Sequence, residues 1–275
     1  MAHPVAMTRQ LTNKVVRGAL IPTRFGERLA PRLVWRHRAR RWPISTDEPE
    51  SLLLPRLAHR SKLSIDVGAA RGNYTALLIP LSRRVIAFEP VPYFAARLRE
   101  MFADTAVVRI EQVALSDQSG SRELRVTEDL YRSAIESTNE LRYSAIVDVI
   151  PVTVRSLDEY AFRNVGFIKI DVEGHELAVL RGASDTIYRE RPNVLVEVEE
   201  QHRRGALADA FAFFRKAGYL GFFLLDGKLE ALAAFDPDIH QHVKNLDARG
   251  LRTALYVNNF IFVSADNRIC AQLTR

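Results

Sequence analysis

The stretch "KLSIDVGAARGNYTALLIPLS", Lys62–Ser82, decides the fold. "KLSIDVGA" reads as a short apolar strand ending in a carboxylate and a glycine, and "NYTALLIPLS" as the helix behind it. The glycines of the intervening "DVGAARG", Gly68 and Gly72, permit a tight turn and a close approach of backbone to a ligand. The spacing is not GxGxxG, and the loop lacks a phosphate-binding lysine. A nicotinamide dinucleotide is therefore disfavoured.

The same alternation continues outward. "RRVIAFEP" is a second strand closed by Glu89 and Pro90, and "VPYFAARLREMFA" is a helix with Phe94, Leu98 and Met101 or Phe102 on one face. "AVVRIEQVALS" reads as a third strand region. From "GSRELRVTED" to "VDVIPVTVRSLDEY" the pattern is β-type with polar turns, which predicts an inserted hairpin or cover at about 120–162. "VGFIKIDVEG" is the fourth core strand. The following "HELAVLRGASDTIYRER" reads as one helix with Leu177, Leu180, Ser184 and Ile187 sharing a face. "PNVLVEVEE" is strand five, "GALADAFAFFRKAG" a helix closed by Gly218, and "LGFFLL" and "NNFIFVS" complete the strands with an antiparallel edge. Repeated βαβ units imply a doubly wound, mainly parallel sheet whose ligands bind beyond the carboxyl ends of the strands. Asp66, Glu89, Ser116, Asp117 and Asp171 all fall at such ends.

Composition bounds the rest. In 275 residues, 47% hydrophobic and 26% charged, there is apolar material for one sizeable core and no interior linker. We expect a basic arm over 1–60 and a single α/β domain over 61–275. The net charge of +6 is unevenly placed: through Ser45 ten basic residues face Glu27 alone, so the arm carries +9 and the rest −3. Arg24, Arg28, Arg32, Arg36 and Arg40 recur every fourth residue beside Phe25, Leu29 and Leu33, the pattern of a basic amphipathic helix that Pro31 would kink or divide. Contact with anionic lipid or an acidic substrate carrier, packing on the body and a transit peptide are all open readings of it. The single cysteine, Cys270, excludes an internal disulfide and a Cys-based zinc site. With no apolar run of about 18 residues, the expected location is cytoplasmic, with peripheral membrane contact through the arm as its variant.

"IDVGAARGNYT", "VIAFEPVP", "VALSDQSG", "SLDEY", "IKIDVEGHELAVLRGA" and "NNFIFV" stand in the order seen in FkbM-type S-adenosylmethionine-dependent methyltransferases, which the chain resembles from about Leu63 to Val263. The resemblance implies a class I methyltransferase fold and O-methyl transfer to a hydroxyl of a sugar, glycolipid or other natural product. By the same resemblance Asp66, Gly68 and Gly72 line the methionine and ribose end of the cofactor, and Glu89 takes the ribose hydroxyls. Pro90 shapes the wall beside the adenine, and Ser116 and Asp117 sit near its edge. Ala69, Tyr74 and Asp171 complete the expected cofactor-binding set.

An alcohol is nearly as weak an acid as water, whose pKa is ~15.7, so a base helps as the new O–C bond forms. Asp171 is the first candidate, with His202 and His175 as partners; helix capping is the structural alternative for Asp171, and a solvated loop for His202. Lys169 alternates with Ile168 and Ile170 and is assigned to the sheet. Asp171, Glu173 and His175 could supply O, O and N to a divalent ion, but HxxxH, Cys or Asp-rich spacing is lacking and no metal is expected. A nucleic-acid methyltransferase is one alternative, suggested by the arm, although strand four ends in "DVEG" where enzymes that methylate the amino groups of bases resemble one another in a Pro-Pro-aromatic motif. A non-catalytic nucleoside-binding module is the other. Acceptor specificity is expected from Arg122–Tyr160, the arm and the loop after Glu200.

Overall fold

The computed structural model describes residues 48–127, 133–135, 146–246 and 255–265. The expected arginine-rich helix, with its membrane contact, and Cys270 lie outside these residues.

A 3-10 turn, Pro49–Leu53, runs into the short helix α1 (Leu54–Leu57) and then into β1 (Leu63–Val67). The first βαβ unit follows as read, with α2 (Asn73–Leu78), β2 (Arg84–Phe88) and α3 (Pro92–Met101). The third strand region divides. β3 (Val108–Glu111) joins β2 in the main sheet, whereas β4 (Ala114–Leu115) leaves it to pair with the inserted hairpin, β5 (Gly120–Thr127) and β6 (Ile146–Arg155). The insertion is therefore a small three-stranded sheet, ordered β4-β6-β5. It rests on α3 through Val91 and Phe94, which pack with Leu124, Val126, Val152 and Val154.

The core resumes with β7 (Val165–Ile170), whose six residues are all buried. The single helix expected after it is two, α4 (Glu176–Gly182) and α5 (Ser184–Glu190). Gly182 lies against Ser116, where an added Cβ would come 1.9 Å from the carbonyl oxygen, so α4 ends pressed on the β4 turn. The new start at Ser184 is capped from outside: the Asp158 carboxylate accepts from the N–H groups of Asp185 and Thr186 at 3.0 and 2.8 Å. That capping gives the Asp of "SLDEY" a physical task. Leu180 and Ile187 of the expected row are buried, joined by Val179 and Ala183, whereas Leu177 and Ser184 are only half-buried.

β8 (Asn193–Glu197), α6 (Ala206–Lys216), β9 (Tyr219–Leu225), β10 (Lys228–Ala231), a turn of helix α7 (Pro237–His240) and β11 (Asn259–Ser264) complete the chain's described elements. The main sheet has the order β10-β9-β11-β8-β7-β1-β2-β3. β8, β7, β1, β2 and β3 run parallel; β10 is an antiparallel edge, and β11, from "NNFIFVS", is antiparallel but internal, between β8 and β9.

Helices cover both faces. Val179, Leu180, Ile187 and Phe214 pack on Ile65, Val67, Ile168 and Ile170. On the other face Leu54, Leu57, Tyr74 and Leu78 pack on Val85, Phe167, Leu195 and Ile261. Leu54 and Leu57 are 1% exposed, and Asn193 Nδ2 donates to the Leu57 carbonyl at 2.7 Å. Leu54, Leu57 and Ala58, placed in the arm by the sequence reading, thus pack with the body. Leu57→Ala should cost about 2–5 kcal/mol, read as a lowered midpoint in chemical denaturation.

Candidate active site

A cavity of about 340 Å³ opens at the carboxyl ends of β1, β2 and β7. That is within the size range of small-ligand sites. The loop after β1 makes its floor. The N–H groups of Gly68 and Ala69 donate to the Phe88 carbonyl at 3.0 and 3.1 Å, which ties the loop to the end of β2. Gly68, at φ +78°, faces β7 so closely that a Cβ would sit 1.8 Å from the Asp171 carbonyl oxygen. Only glycine permits both the conformation and the approach. Gly72, also left-handed, abuts Leu98 and Phe102 of the next βα unit.

Glu89 ends β2, 3% exposed, and is gripped from both sides. Its Oε2 accepts from Ala70 N–H and its Oε1 from Val91 N–H, each at 2.7 Å. Burial pushes the carboxyl up to about 7, against the opposing pull of those two hydrogen bonds. Asp66 is buried beneath the loop and accepts from Thr75 Oγ1 at 2.5 Å. Burial raises its pKa as well, while the Lys169 charge and the Thr75 hydroxyl act downward.

Lys169 is where the sequence reading needs correction. It is 3% exposed, sits beside Asp66 in the β1–β7 register, and donates to Asp171 Oδ2 at 2.6 Å. Its ammonium lies 4.7 Å from the centre of the Tyr74 ring. Burial alone would lower its pKa, but Asp171, Glu48, Asp66 and Glu197 together raise it above the ordinary lysine value. It lines the cavity with Asp66, Tyr74 and Asp171, so its place is in the site and not merely on the sheet. The signal was in the sequence: a lysine inside an apolar strand of a parallel sheet needs a buried partner.

The turn after β7 carries the remaining candidates. Glu173 and Gly174 are both left-handed, at φ +51° and +95°, and Glu176 Oε1 holds the turn by accepting from Gly174 N–H at 2.8 Å. Burial pushes Glu176 up to about 7. His175 faces inward, buried at the start of α4, with Nε2 2.9 Å from Ser116 Oγ. His202 does not line the cavity; its Nε2 pairs at 3.2 Å with Glu173, which does. Asp171 and Pro90 also lie on the wall. Ser116 and Asp117 do not: Ser116 is buried behind His175 under α4, Asp117 is exposed, and Val113, Ala114 and Leu115 take the wall instead. The inserted sheet adds Leu124, Ser133 and Ile135, and Glu48 comes from the segment ahead of β1. Among the described residues no group of three His, Cys, Asp or Glu side chains is placed to hold a metal ion.

Residues 66–220 match the family described as "Methyltransferase FkbM domain", which is more than half of the chain. The chain belongs to the FkbM methyltransferase family. It is a methyltransferase, and S-adenosylmethionine, the donor that the family resemblance implies, is the cofactor against which the cavity is read. The chain is also 25% identical over 168 residues to the 2-O-methyltransferase NoeI of Sinorhizobium fredii, covering 55% of this chain and 69% of that protein. Among solved structures, the methyltransferase FkbM from Methylobacillus flagellatus aligns with 20% identity and a TM-score of 0.48. The alignment covers 74% of this chain and 43% of that one, so this chain spans less than half of that relative's length. SMU.1697c from Streptococcus mutans, solved with S-adenosylhomocysteine, aligns at 9% identity and a TM-score of 0.44 over 78% of this chain and 96% of its own.

The cavity suits this cofactor. Phe94, Val113, Leu124 and Ile135 offer an apolar wall for a planar base, Glu89 offers a carboxylate to a diol, and the missing Cβ of Gly68 lets the loop pack against the Asp171 backbone, which sets the position of the floor. Gly68→Ala should abolish S-adenosylhomocysteine binding by calorimetry. A second expectation concerns pH. Since burial holds the Glu89 proton to about pH 7, hydroxyl donors that favour the carboxylate must displace it below that point. Affinity should therefore rise as pH increases through about 7, by up to about tenfold per unit, and the dependence should disappear in Glu89→Gln.

Proposed function

We propose that this chain transfers a methyl group from S-adenosylmethionine to the hydroxyl of a sugar, glycolipid or other small natural product. The observation that carries the reading is the convergence of the Gly68 loop, Glu89 and Asp171 on one cavity at the strand ends. The 2-O-methyl specificity in the name of NoeI supports oxygen as the acceptor atom.

When bound, the cofactor supplies a methyl group made electrophilic by its sulfonium. The chain's own residues supply position, charge and a proton acceptor. In this reading the Gly68–Gly72 turn seats the methionine arm, and Glu89 takes the ribose hydroxyls through the lone pairs that Ala70 and Val91 leave open. The apolar wall from Phe94 and the inserted sheet holds the base, which gives Leu124 and Ile135 a role on the donor side rather than in acceptor choice. The carboxylates near the mouth favour a cationic donor over a neutral product. Alignment of the two reactants supplies much of the acceleration.

Asp171 orients the acceptor hydroxyl and takes its proton late in the transfer. Lys169 holds Oδ2, so Oδ1 is the oxygen offered to the acceptor. His175 and the Glu173–His202 pair border the same turn and serve as its polar support.

The test combines calorimetry against S-adenosylmethionine, S-adenosylhomocysteine and NAD with transfer of labelled methyl to glycan and glycolipid extracts. Binding of the two adenosyl ligands without NAD, with label in a hydroxyl-bearing product, is expected; NAD binding alone would sink the reading. Asp171→Ala should lower turnover by roughly 10²–10⁴-fold, by more than any loss of S-adenosylhomocysteine affinity that the stranded Lys169 causes, and Glu89→Ala should mainly weaken binding. Full rate in Asp171→Ala at every pH would remove its assigned role.

A further inference from the structure

The amino ends of the parallel strands, at the opposite end of the sheet from the cavity, form a surface of their own. Arg83 N–H donates to the Lys62 carbonyl and Leu63 N–H to the Asn164 carbonyl, each at 2.8 Å, and Asn164 Nδ2 donates to the Ser61 carbonyl at 2.9 Å. The segments that enter β1, β2 and β7 are thus stitched together. The end of α5 joins them where Arg189 Nη2 donates to the Phe162 carbonyl at 2.8 Å.

This surface presents Arg60, Lys62, Arg83, Arg84, Arg163 and Arg189, all exposed except Lys62, which is half-buried with its stem against Gly166. Glu190 accepts there from Asn164 N–H at 2.7 Å and Arg189 Nε at 2.8 Å, with Arg163 Nη1 3.7 Å away. Asp104, ahead of β3, is the next carboxylate along the edge, so six cations against two carboxylates leave a surplus of +4. Helix dipoles do not account for it. Of the six, Arg189 is the one in the last turn of a helix, where a C-terminus favours a cation; the others stand in connections or at the first position of β2.

Charge is therefore polarised along the strands. The cavity is lined by five carboxylates against Arg71 and Lys169, and none of the six basic residues reaches it. Toward the basic end, Tyr188 beside Arg189 and Leu220 near the start of β9 are 45% and 46% exposed. Basic side chains with a tyrosine ring and an aliphatic chain among them match the charge and the interfacial character of an anionic bilayer. A nucleic acid held there would have its bases at the wrong end of the sheet for methyl transfer.

We propose that this amino-end surface docks the protein on a bilayer containing anionic phospholipid, with the cavity turned toward water. β1 and β2, five residues each, hold the two ends roughly 17 Å apart. The acceptor hydroxyl then arrives from the aqueous phase or on a headgroup that stands clear of the bilayer. The docking surface is independent of the cofactor reading.

Co-sedimentation of the full chain with vesicles tests it, equal parts of phosphatidylcholine and phosphatidylglycerol against phosphatidylcholine alone. Binding to the anionic vesicles alone, weakened by salt, is expected. The arginine-rich arm is present in every variant, so differences between variants report the body. Arg83→Gln with Arg84→Gln should weaken anionic-vesicle binding by roughly 25-fold, from about fivefold for each cation withdrawn from a membrane contact. Arg60→Gln with Arg163→Gln, on two other connections, should show a similar loss. Arg122→Gln with Lys228→Gln makes the same change in net charge at exposed positions elsewhere and should stay within about twofold. S-adenosylhomocysteine affinity should be the same in all three, which reports an intact fold. Equal losses in all three would assign the binding to net charge and overturn the proposal, as would full binding in the first two or no anionic-vesicle binding by the unsubstituted chain. Weakened binding of a duplex oligonucleotide in the first two, with vesicle binding unchanged, would give the surface to nucleic acid and overturn it as well.

Discussion

The mouth of the cavity depends on one buried cation. Lys169 lies in a strand buried along its whole length, between a carboxylate on the adjacent strand and another just past its own end. Removing an ammonium from water is costly unless it is paired at close range, and a partner removed from such a pair leaves the other charge stranded. The parallel register of β1 and β7 performs the pairing. It sets Asp66 beside Lys169, while the chain turning out of β7 returns Asp171 to the same ammonium. Strand pairing, charge balance and the direction of the candidate catalytic carboxylate are thus one arrangement.

The glycines give this arrangement its second constraint. At Gly68 the loop of β1 presses against the backbone of Asp171, and at Gly182 the first helix after β7 presses against Ser116. Both contacts bring backbone to backbone where a side chain would intrude. The first holds the floor of the cavity against the end of β7. The second closes the region behind His175 and keeps Ser116 off the wall.

Much of this was legible in the residues. "LSIDV" and "RVIAF" fixed two strand ends, and with them Asp66 and Glu89, since apolar runs closed by an acid and a turn leave few alternatives. The β-type alternation after Gly120 identified the insertion but not its seat, because a hairpin's pattern does not name the surface it will cover. "VALSDQSG" was harder. Its strand is only Ala114–Leu115, and pairing with a distant β6 turns Asp117 outward. Lys169 was legible in principle through its cost of burial, whereas the pairing of His202 with Glu173 depends on loops that meet only in three dimensions. Glu48 offered least: a glutamate before a proline has no periodicity, and its position follows from the anchoring of Leu54 and Leu57 below it.

The position of β11 bears on how the sheet is assembled. Asn259–Ser264 lies between β8 and β9, although more than thirty residues separate it from the end of β9 and the strand follows every other described strand in the chain. During vectorial synthesis β8 and the β9–β10 hairpin emerge before the strand that joins them. Each then has an unpaired edge, and such edges invite association with other chains. Closure requires a contact of long sequence separation, which is slow to form. The buried strand "NFIFVS", with Phe260 and Phe262 stacking into the helix beyond, is thus the kinetic keystone of the sheet, and its late arrival makes the nascent domain most vulnerable just before it is complete.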